Sequence, residues 1–400
     1  MFSVKKVPNL LLLAACMIAV NCKKDSVAAD AFSVSVENEL DFAREEVVAV
    51  QAAELKNLLE KNKPADIRVK LQGETEYLPL QWIDYDSDGK EDELVFQVKI
   101  EPKTKLFYEF VADASKINPK SKAVAYSRIV PERFDDYTWE NEKIAFRVYG
   151  PKGQEEALKK TKGATLSSGV DIWLKRTDKS VIDEWYKGYL TDPMFYHVDK
   201  GEGYDPYHVG DSRGTGALGV WDNGELLVSQ NFTAHKTISA GPLRTVFELT
   251  YAPWSDYKIS ETKRITLDIG SNFSKFESNF KSEKPVPNYT AGITLHRNEG
   301  EANINSEKGW FRHWEKIDDA YVGQGIVIDP SIVDTAFTHK SDVVDQSNLL
   351  VVTKPAGKLT YYAGFAWQKS GQVNTVKDWE KILDKQAQIL ASPLKIVVVK

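Results

Sequence analysis

The sequence predicts a mainly β protein built as a small N-terminal β-sandwich followed by a large β-sandwich domain with few helices. Three observations predict it. Short segments alternate apolar and polar residues with period two, the mark of half-buried strands. Strand-like segments recur through the second half with few helical patterns between them, which argues for packed sheets rather than alternating β/α units. The 24 Gly, 16 Pro, 17 Phe, 17 Tyr and 10 Trp suit a turn-rich β protein with aromatic surfaces. Four hundred residues allow two domains and a leader.

The leader comes first. Lys5 and Lys6 precede an apolar run over 10–20, too short to span a bilayer and well suited to an export signal over 1–22. Cys16 and Cys22 are both candidates for the lipid-bearing residue of a bacterial lipoprotein. The longer apolar core before Cys22 and the polar tether over 23–31 favour Cys22. The expected location is therefore the periplasm or cell surface, with the membrane met only through a lipid anchor. No other cysteine exists, which excludes a disulfide framework and a Cys zinc site from the body.

The small sandwich is expected over 32–122. Residues 32–36, 67–71 and 94–100 alternate as strands, and Leu55, Leu58 and Leu59 at i, i+3, i+4 mark one short helix. After a polar linker at 112–122, the large domain is expected over 123–400. Its strands are predicted near 144–149, 246–251, 265–269, 275–280, 293–296, 325–328, 349–352, 359–367 and 396–399. Val181, Ile182 and Trp185 form a helical stripe behind Asp178 as N-cap. Trp379, Ile382, Leu383, Ala387 and Leu390 form a longer one behind Asn374 and Thr375.

A net charge of −6 offers no basic footprint, so nucleic acid is not an expected partner. Asp84, Asp86, Asp88 and Asp92 alternate around Gly89, a pattern suited to a hard cation; the twelfth position is Val95, so this is not an EF-hand. A structural Ca²⁺ and an empty acidic turn both stay open, and no other cofactor is required. The stretch 196–224 is the richest in chemistry. His197 and His208 lie within 12 residues, Tyr204 and Arg213 accompany them, and seven glycines fall between Gly201 and Gly224. Long loops of this composition are usually functional, although a loop histidine is often only a surface hydrogen-bonding group. A metal site using His197, Asp199, Glu202, Asp205 and His208 fits no standard zinc spacing. His235, Lys236 and Arg244 at strand edges would suit an anionic sugar, and His296-Arg297 ends another strand that can face the same cleft; Arg244 and Arg297 can instead be cross-strand partners of nearby carboxylates, the favoured reading for Arg297. Tyr137, Trp139, Trp173, Trp221, Trp254 and Trp310 offer stacking faces, at least half of them expected in the core. Gly-x-Ser-x-Gly, phosphate-loop and His-Glu-x-x-His motifs are absent.

The segments 130–141, 145–151, 168–173, 196–203 and 361–367 resemble an exported bacterial family, long catalogued as a domain of unknown function, from polysaccharide-utilisation loci. The likeness runs from about Asn38 to Trp379. It implies a galactose-mutarotase-like β-supersandwich and, by analogy with a member from ulvan degradation, an oligosaccharide dehydratase. Such an enzyme takes water from a terminal uronic acid and leaves a 4,5-unsaturated sugar. The chemistry needs cations to neutralise the carboxylate, a base for the C5 proton and an acid for the departing hydroxyl. The sequence offers His197 or His208 as base, Tyr204 as acid, and Arg213 with Lys236 on the carboxylate. The expected partner is an acidic oligosaccharide. A chain-cleaving lyase, a glycoside hydrolase, a mutarotase and a non-catalytic sugar-binding protein stay open as alternatives.

Overall fold

The computed structural model describes Met1 and residues 32–399. The export signal with Cys16 and Cys22, and the tether over 23–31, fall outside the described residues apart from Met1. Among the described residues no helix is long and apolar enough to cross a membrane.

The small domain is a two-sheet sandwich. One sheet runs, in order, Lys395–Val399, Phe32–Glu37, Lys105–Ala112, Ile67–Leu71 and Tyr77–Leu78; the other runs Arg44–Gln51, Glu93–Ile100 and Leu80–Ile83. Val34, Val36, Val69, Phe96 and Phe110 fill the space between them. One expected boundary is wrong. The last strand, placed by the sequence in the large domain, pairs along Phe32–Glu37 from Ser33↔Val399 to Glu37↔Lys395. Chain order misled the reading here: an edge with unpaired N–H and C=O groups is completed by whichever segment reaches it.

Strand Glu93–Ile100 is buried at Leu94, Val95 and Phe96 in succession. A strand with one wet face would alternate; this one has no wet face there. Leu94 and Phe96 face the small core, while Val95 packs with Val47 and Ile83 against Leu243, Val246 and Ile269 of the large domain. The two domains thus share a hydrophobic seam.

The large domain has two layers. Its eight-stranded antiparallel sheet includes Arg244–Trp254, Ile259–Asp268, Phe273–Lys281, Lys358–Trp367, Ala320–Val327 and Trp310–Ile317. Ile259–Asp268 shows why it is a sheet with one core face: its buried residues fall at every second position. The facing layer consists of two five-stranded sheets, one containing Asp136–Glu140, Ala145–Val148 and Asp171–Lys175, the other Thr215–Asp222, Tyr289–Thr294 and Asn348–Thr353. A parallel bridge between Val170 and Gly214 joins them. Phe146, Ile172, Phe247, Leu249, Ile293 and Phe365 lie in the common core. This is a β-supersandwich with a small sandwich attached, as expected.

Two helices cover the outer faces. Val376–Ala391 starts behind Thr375 as expected, and Thr375 and Asp378 form a capping box there. It lays Trp379 and Leu383 on the eight-stranded sheet. Gly323 permits this approach, since a Cβ there would stand 2.5 Å from the Trp379 ring. Ile182–Tyr189 departs from expectation: Asp178 does not cap it. The Glu140 carboxylate, arriving from a neighbouring strand, accepts the Val181 and Ile182 N–H groups at 2.9 and 3.0 Å and pairs with Lys175 at 2.6 Å. A buried carboxylate at the positive end of the helix does the work of a local cap.

Candidate active site

The glycine-rich stretch does not form one site. It divides between a sealed cluster, an open cleft and a separate cavity.

His197 ends a short 3-10 turn, Phe195–His197, and its Nδ1 lies 2.8 Å from the Asp205 carbonyl oxygen. Burial lowers its pKa. It stands at the edge of a buried network centred on Arg147. The Arg147 guanidinium donates to Asp171 Oδ2 from Nε at 2.9 Å, to Asp205 Oδ2 at 3.0 Å and to the Tyr196 hydroxyl at 3.1 Å. Trp173, Tyr149 and Tyr196 surround it, with the guanidinium 5.4–5.6 Å from each ring. Burial, opposed by Arg133 and Arg147, raises the Asp136 carboxyl to about 6.

His208 lies in an open cleft of about 710 Å³. Its side chain is 66% exposed, and its Nε2 is 3.1 Å from both Asp345 oxygens. Nδ1 has no partner among the described residues. Gly210 makes the pair possible: its φ is +47°, and a Cβ there would stand 1.8 Å from Asp345 Oδ2 and 2.9 Å from His208 Nε2.

Behind His208 stands His296, just past strand Tyr289–Thr294 with φ 45°. Its Nδ1 is 2.9 and 2.8 Å from the two Glu315 oxygens, and its Nε2 is 2.8 Å from the His208 carbonyl oxygen. A neutral ring can donate from only one nitrogen, so two acceptors favour the imidazolium. Burial works against that charge; hydrogen bonding and the charge of Glu315 outweigh it and raise the pKa. Glu315 is itself fixed, accepting from Gln324 Nε2 at 2.8 Å, while Thr215 donates to the other end of Gln324 at 2.8 Å. Tyr207 also donates to Gln324.

At the rim, Arg297 and Lys316 are exposed and carry no ion pair among the described residues. Asp318, on the same rim, accepts the Tyr204 hydroxyl at 2.6 Å. Burial, then the bond to Asp318, raises the Tyr204 pKa, so it holds its proton at neutral pH.

The remaining expected site residues lie elsewhere. Arg213 is buried and lines a different cavity. Arg244 is clamped by Asp268 at 2.6 and 2.8 Å and by Glu93 at 3.2 Å, which raises its pKa against the cost of burial. Lys236 donates to the Tyr85 carbonyl at 2.9 Å. Both side chains tie the large domain to the small one rather than serving a sugar in the His208 cleft. His235 is exposed on the edge strand Ala234–Ala240, its ring 5.6 Å from Tyr137. Of the aromatic faces, Tyr137, Trp139, Trp173, Trp254 and Trp310 are buried. In the acidic loop, oxygens of Asp84, Asp86 and Asp88 converge within 4.8 Å, but Asp92 is not among them. It accepts the Tyr85 N–H at 2.7 Å and closes the base of the turn.

The sequence reading missed Glu315, Gln324, Tyr207, Asp318 and Asp345. One signal was available: His313 and Glu315 stand two apart in a strand and so share a face. Asp345 gave none, since its role depends on a contact across 137 residues.

The family described as a domain of unknown function (DUF4861) matches residues 36–396. A relative from Formosa agariphila, described as uncharacterized protein P7, is 37% identical over 399 residues, covering 98% of this chain and 100% of the relative. Among solved structures, a protein in glycosyl hydrolase family 38 from Enterococcus faecalis superposes with a TM-score of 0.53 at 10% identity, over 94% of this chain and 48% of its own. An α-mannosidase from Enterococcus faecalis V583 gives 0.50 at 10% identity, over 93% and 46%. The chain spans about half the length of these two structures, and at such identity the likeness is one of fold. The match over most of its length, and the full-length relative, show that the chain belongs to the DUF4861 family.

Proposed function

We propose that this chain is a carbon–oxygen lyase that removes water from the terminal uronic acid of an acidic oligosaccharide, working in the His208 cleft. The observation that carries the reading is a histidine with one nitrogen held by Asp345 and the other without a partner among the described residues, in a cleft whose rim cations, Arg297 and Lys316, have no ion-pair partner among them either. Arg297 and Lys316 neutralise the substrate carboxylate, so that negative charge developing at C5 is tolerated. His208 Nδ1 takes the C5 proton while Asp345 stabilises the imidazolium. His296, bonded to Glu315 on one side and to the His208 carbonyl on the other, braces the backbone that carries His208. Tyr204 turns its proton from Asp318 to the departing 4-hydroxyl; the C4–O bond breaks, the C4=C5 bond forms and water leaves. The family resemblance and a fold shared with glycosidases support a carbohydrate-active role. The same reading places the protein outside the cytoplasm, anchored through Cys22 in preference to Cys16. It needs no cofactor, and a Ca²⁺ held by Asp84, Asp86 and Asp88 would act on the small domain's turn alone.

Incubation with uronate-terminated oligosaccharides, read by mass spectrometry and by absorbance of the unsaturated product, tests it. Loss of one water mass from an intact chain is expected. Cleavage with gain of water would make it a hydrolase, cleavage at constant summed mass a chain-cleaving lyase, and an unchanged substrate would leave a binding protein.

A further inference from the structure

We propose that a second acidic-sugar site lies around Arg213, in a cavity of about 580 Å³, and holds a uronic acid by its carboxylate. The buried arginines of this chain fall into two groups, those paired with carboxylates and those that are not. Arg147 is paired with Asp171, Arg312 with Glu301 and Glu380, and Arg44 with Glu46, whereas Arg68 and Arg133 make no ion pair among the described residues and do not line the cavity that Arg213 lines. Arg213 is as deeply buried, at 1% exposure, and has no carboxylate within ion-pair distance among the described residues. Its Nη1 donates to Ser168 Oγ at 2.9 Å and to the Leu218 carbonyl at 3.2 Å, and its Nη2 to the Asp211 carbonyl at 3.3 Å. Its Nε has no acceptor. The Nε/Nη2 edge, the fork that Arg147 uses for Asp171, is thus without an oxyanion. A buried charge without a counter-ion is costly, and a bound carboxylate supplies one. Burial, only partly offset by the more distant charges of Asp211 and Glu261, holds the Arg213 pKa down to about 10.

The rest of the lining selects the kind of anion. Ser168, Gln230, Gln346 and Asn348 offer hydroxyl and amide groups, while Asp211 and Glu225 are exposed carboxylates. Those two carboxylates disfavour a multiply charged ion such as phosphate. They suit a ligand with one negative charge for Arg213 and several hydroxyls to donate, which is a sugar acid. The segment 341–348 gives Asp345 to the His208 cleft and Gln346 and Asn348 to this cavity, so the two hollows flank one loop. The site does not depend on the elimination chemistry proposed for His208.

Isothermal titration with sodium glucuronate, at ionic strength matched with sodium chloride, tests it in an Arg297→Ala background, where the other cleft has lost a rim cation. Saturable binding is expected there, weakened at least about tenfold by Arg213→Met. Gln230→Trp, on the exposed rim, narrows the cavity with Arg213 in place, should weaken binding similarly, and decides the matter if Arg213→Met does not fold. No glucuronate binding in the Arg297→Ala protein, binding unchanged by Gln230→Trp, or glucose binding as tight as glucuronate would each overturn the proposal. Product formation by the wild type reports on the His208 reading separately.

Discussion

The Arg147 cluster and the His208 cleft lie in the same large domain and are made of the same kinds of residue. Each has an arginine, carboxylates, a histidine and tyrosines, yet they differ in access to water. Arg147, Asp171 and Asp205 are all at most 5% exposed, and their partners are one another. Around them both Asp136 oxygens, Arg133 Nε and Nη1, Trp173 Nε1 and the Tyr186 hydroxyl lack a hydrogen-bond partner among the described residues, although Asp136 Oδ2 lies 4.0 Å from Arg147 Nη1. Leaving such groups unpaired costs about 1–3 kcal/mol each, so the cluster is a place of tension held by the surrounding fold. In the cleft, by contrast, Glu315 and His296 are fully bonded, while His208, Arg297 and Lys316 face outward with capacity to spare. Charge sealed inside acts on stability; charge held at an opening, on a braced floor, is available to a ligand.

The sharpest way to break this contrast is to remove one member from each side. His208→Ala should lower the rate of unsaturated-product formation by about 10²–10⁴-fold. Because the side chain is exposed, the free energy of unfolding should change by no more than about 0.5 kcal/mol. A rate within about threefold of wild type would take His208 out of the mechanism. Arg147→Met should do the reverse, leaving Asp171 and Asp205 buried without their cation. Breaking a buried pair in this way costs about 3–5 kcal/mol, measurable by urea denaturation. A loss below about 1 kcal/mol would mean that the cluster is not the strained element described above.

The architecture was largely legible in the sequence and the site only partly so, for one physical reason. Period two and helical stripes are local, so strands such as Phe32–Glu37 and the capped helix behind Thr375 declare themselves. Partnership is not local. Arg244 reads as a sugar-binding cation or as the cross-strand partner of a carboxylate; Asp268, opposite it in register, bears out the second, and Glu93, 151 residues away in another domain, adds a contact that nothing local announces. His197 and His208 read as a pair because they are near in the chain, yet the fold turns one toward Asp205 and the other toward Asp345. His296, expected to share a cleft with His235, Lys236 and Arg244, stands instead behind His208. Glu315 was invisible because a carboxylate in a strand declares nothing until its hydrogen-bond donors are known.

The smallest expected effect probes the sealed side by pH. The Asp136 carboxyl titrates near 6 in the folded protein against an ordinary 3.8, since burial outweighs the attraction of Arg133 and Arg147, and Asp171 and Asp135 add to the upward push. Between those two values the folded state holds the proton and the unfolded state does not. The contribution of this group to stability therefore falls as pH rises from about 4 through 6 and is fully lost above, by on the order of 2–3 kcal/mol. Asp136→Asn cannot titrate, so the stability difference between wild type and Asp136→Asn isolates the group from His296, whose raised pKa gives the same sign, and from His197 and His313, whose lowered pKa values give the opposite one. Urea midpoints for both proteins at pH 4.5 and 7 should show wild type losing ground to the variant as pH rises. A difference independent of pH would mean that water reaches Asp136, and the line drawn between a sealed cluster and an open cleft would have to move.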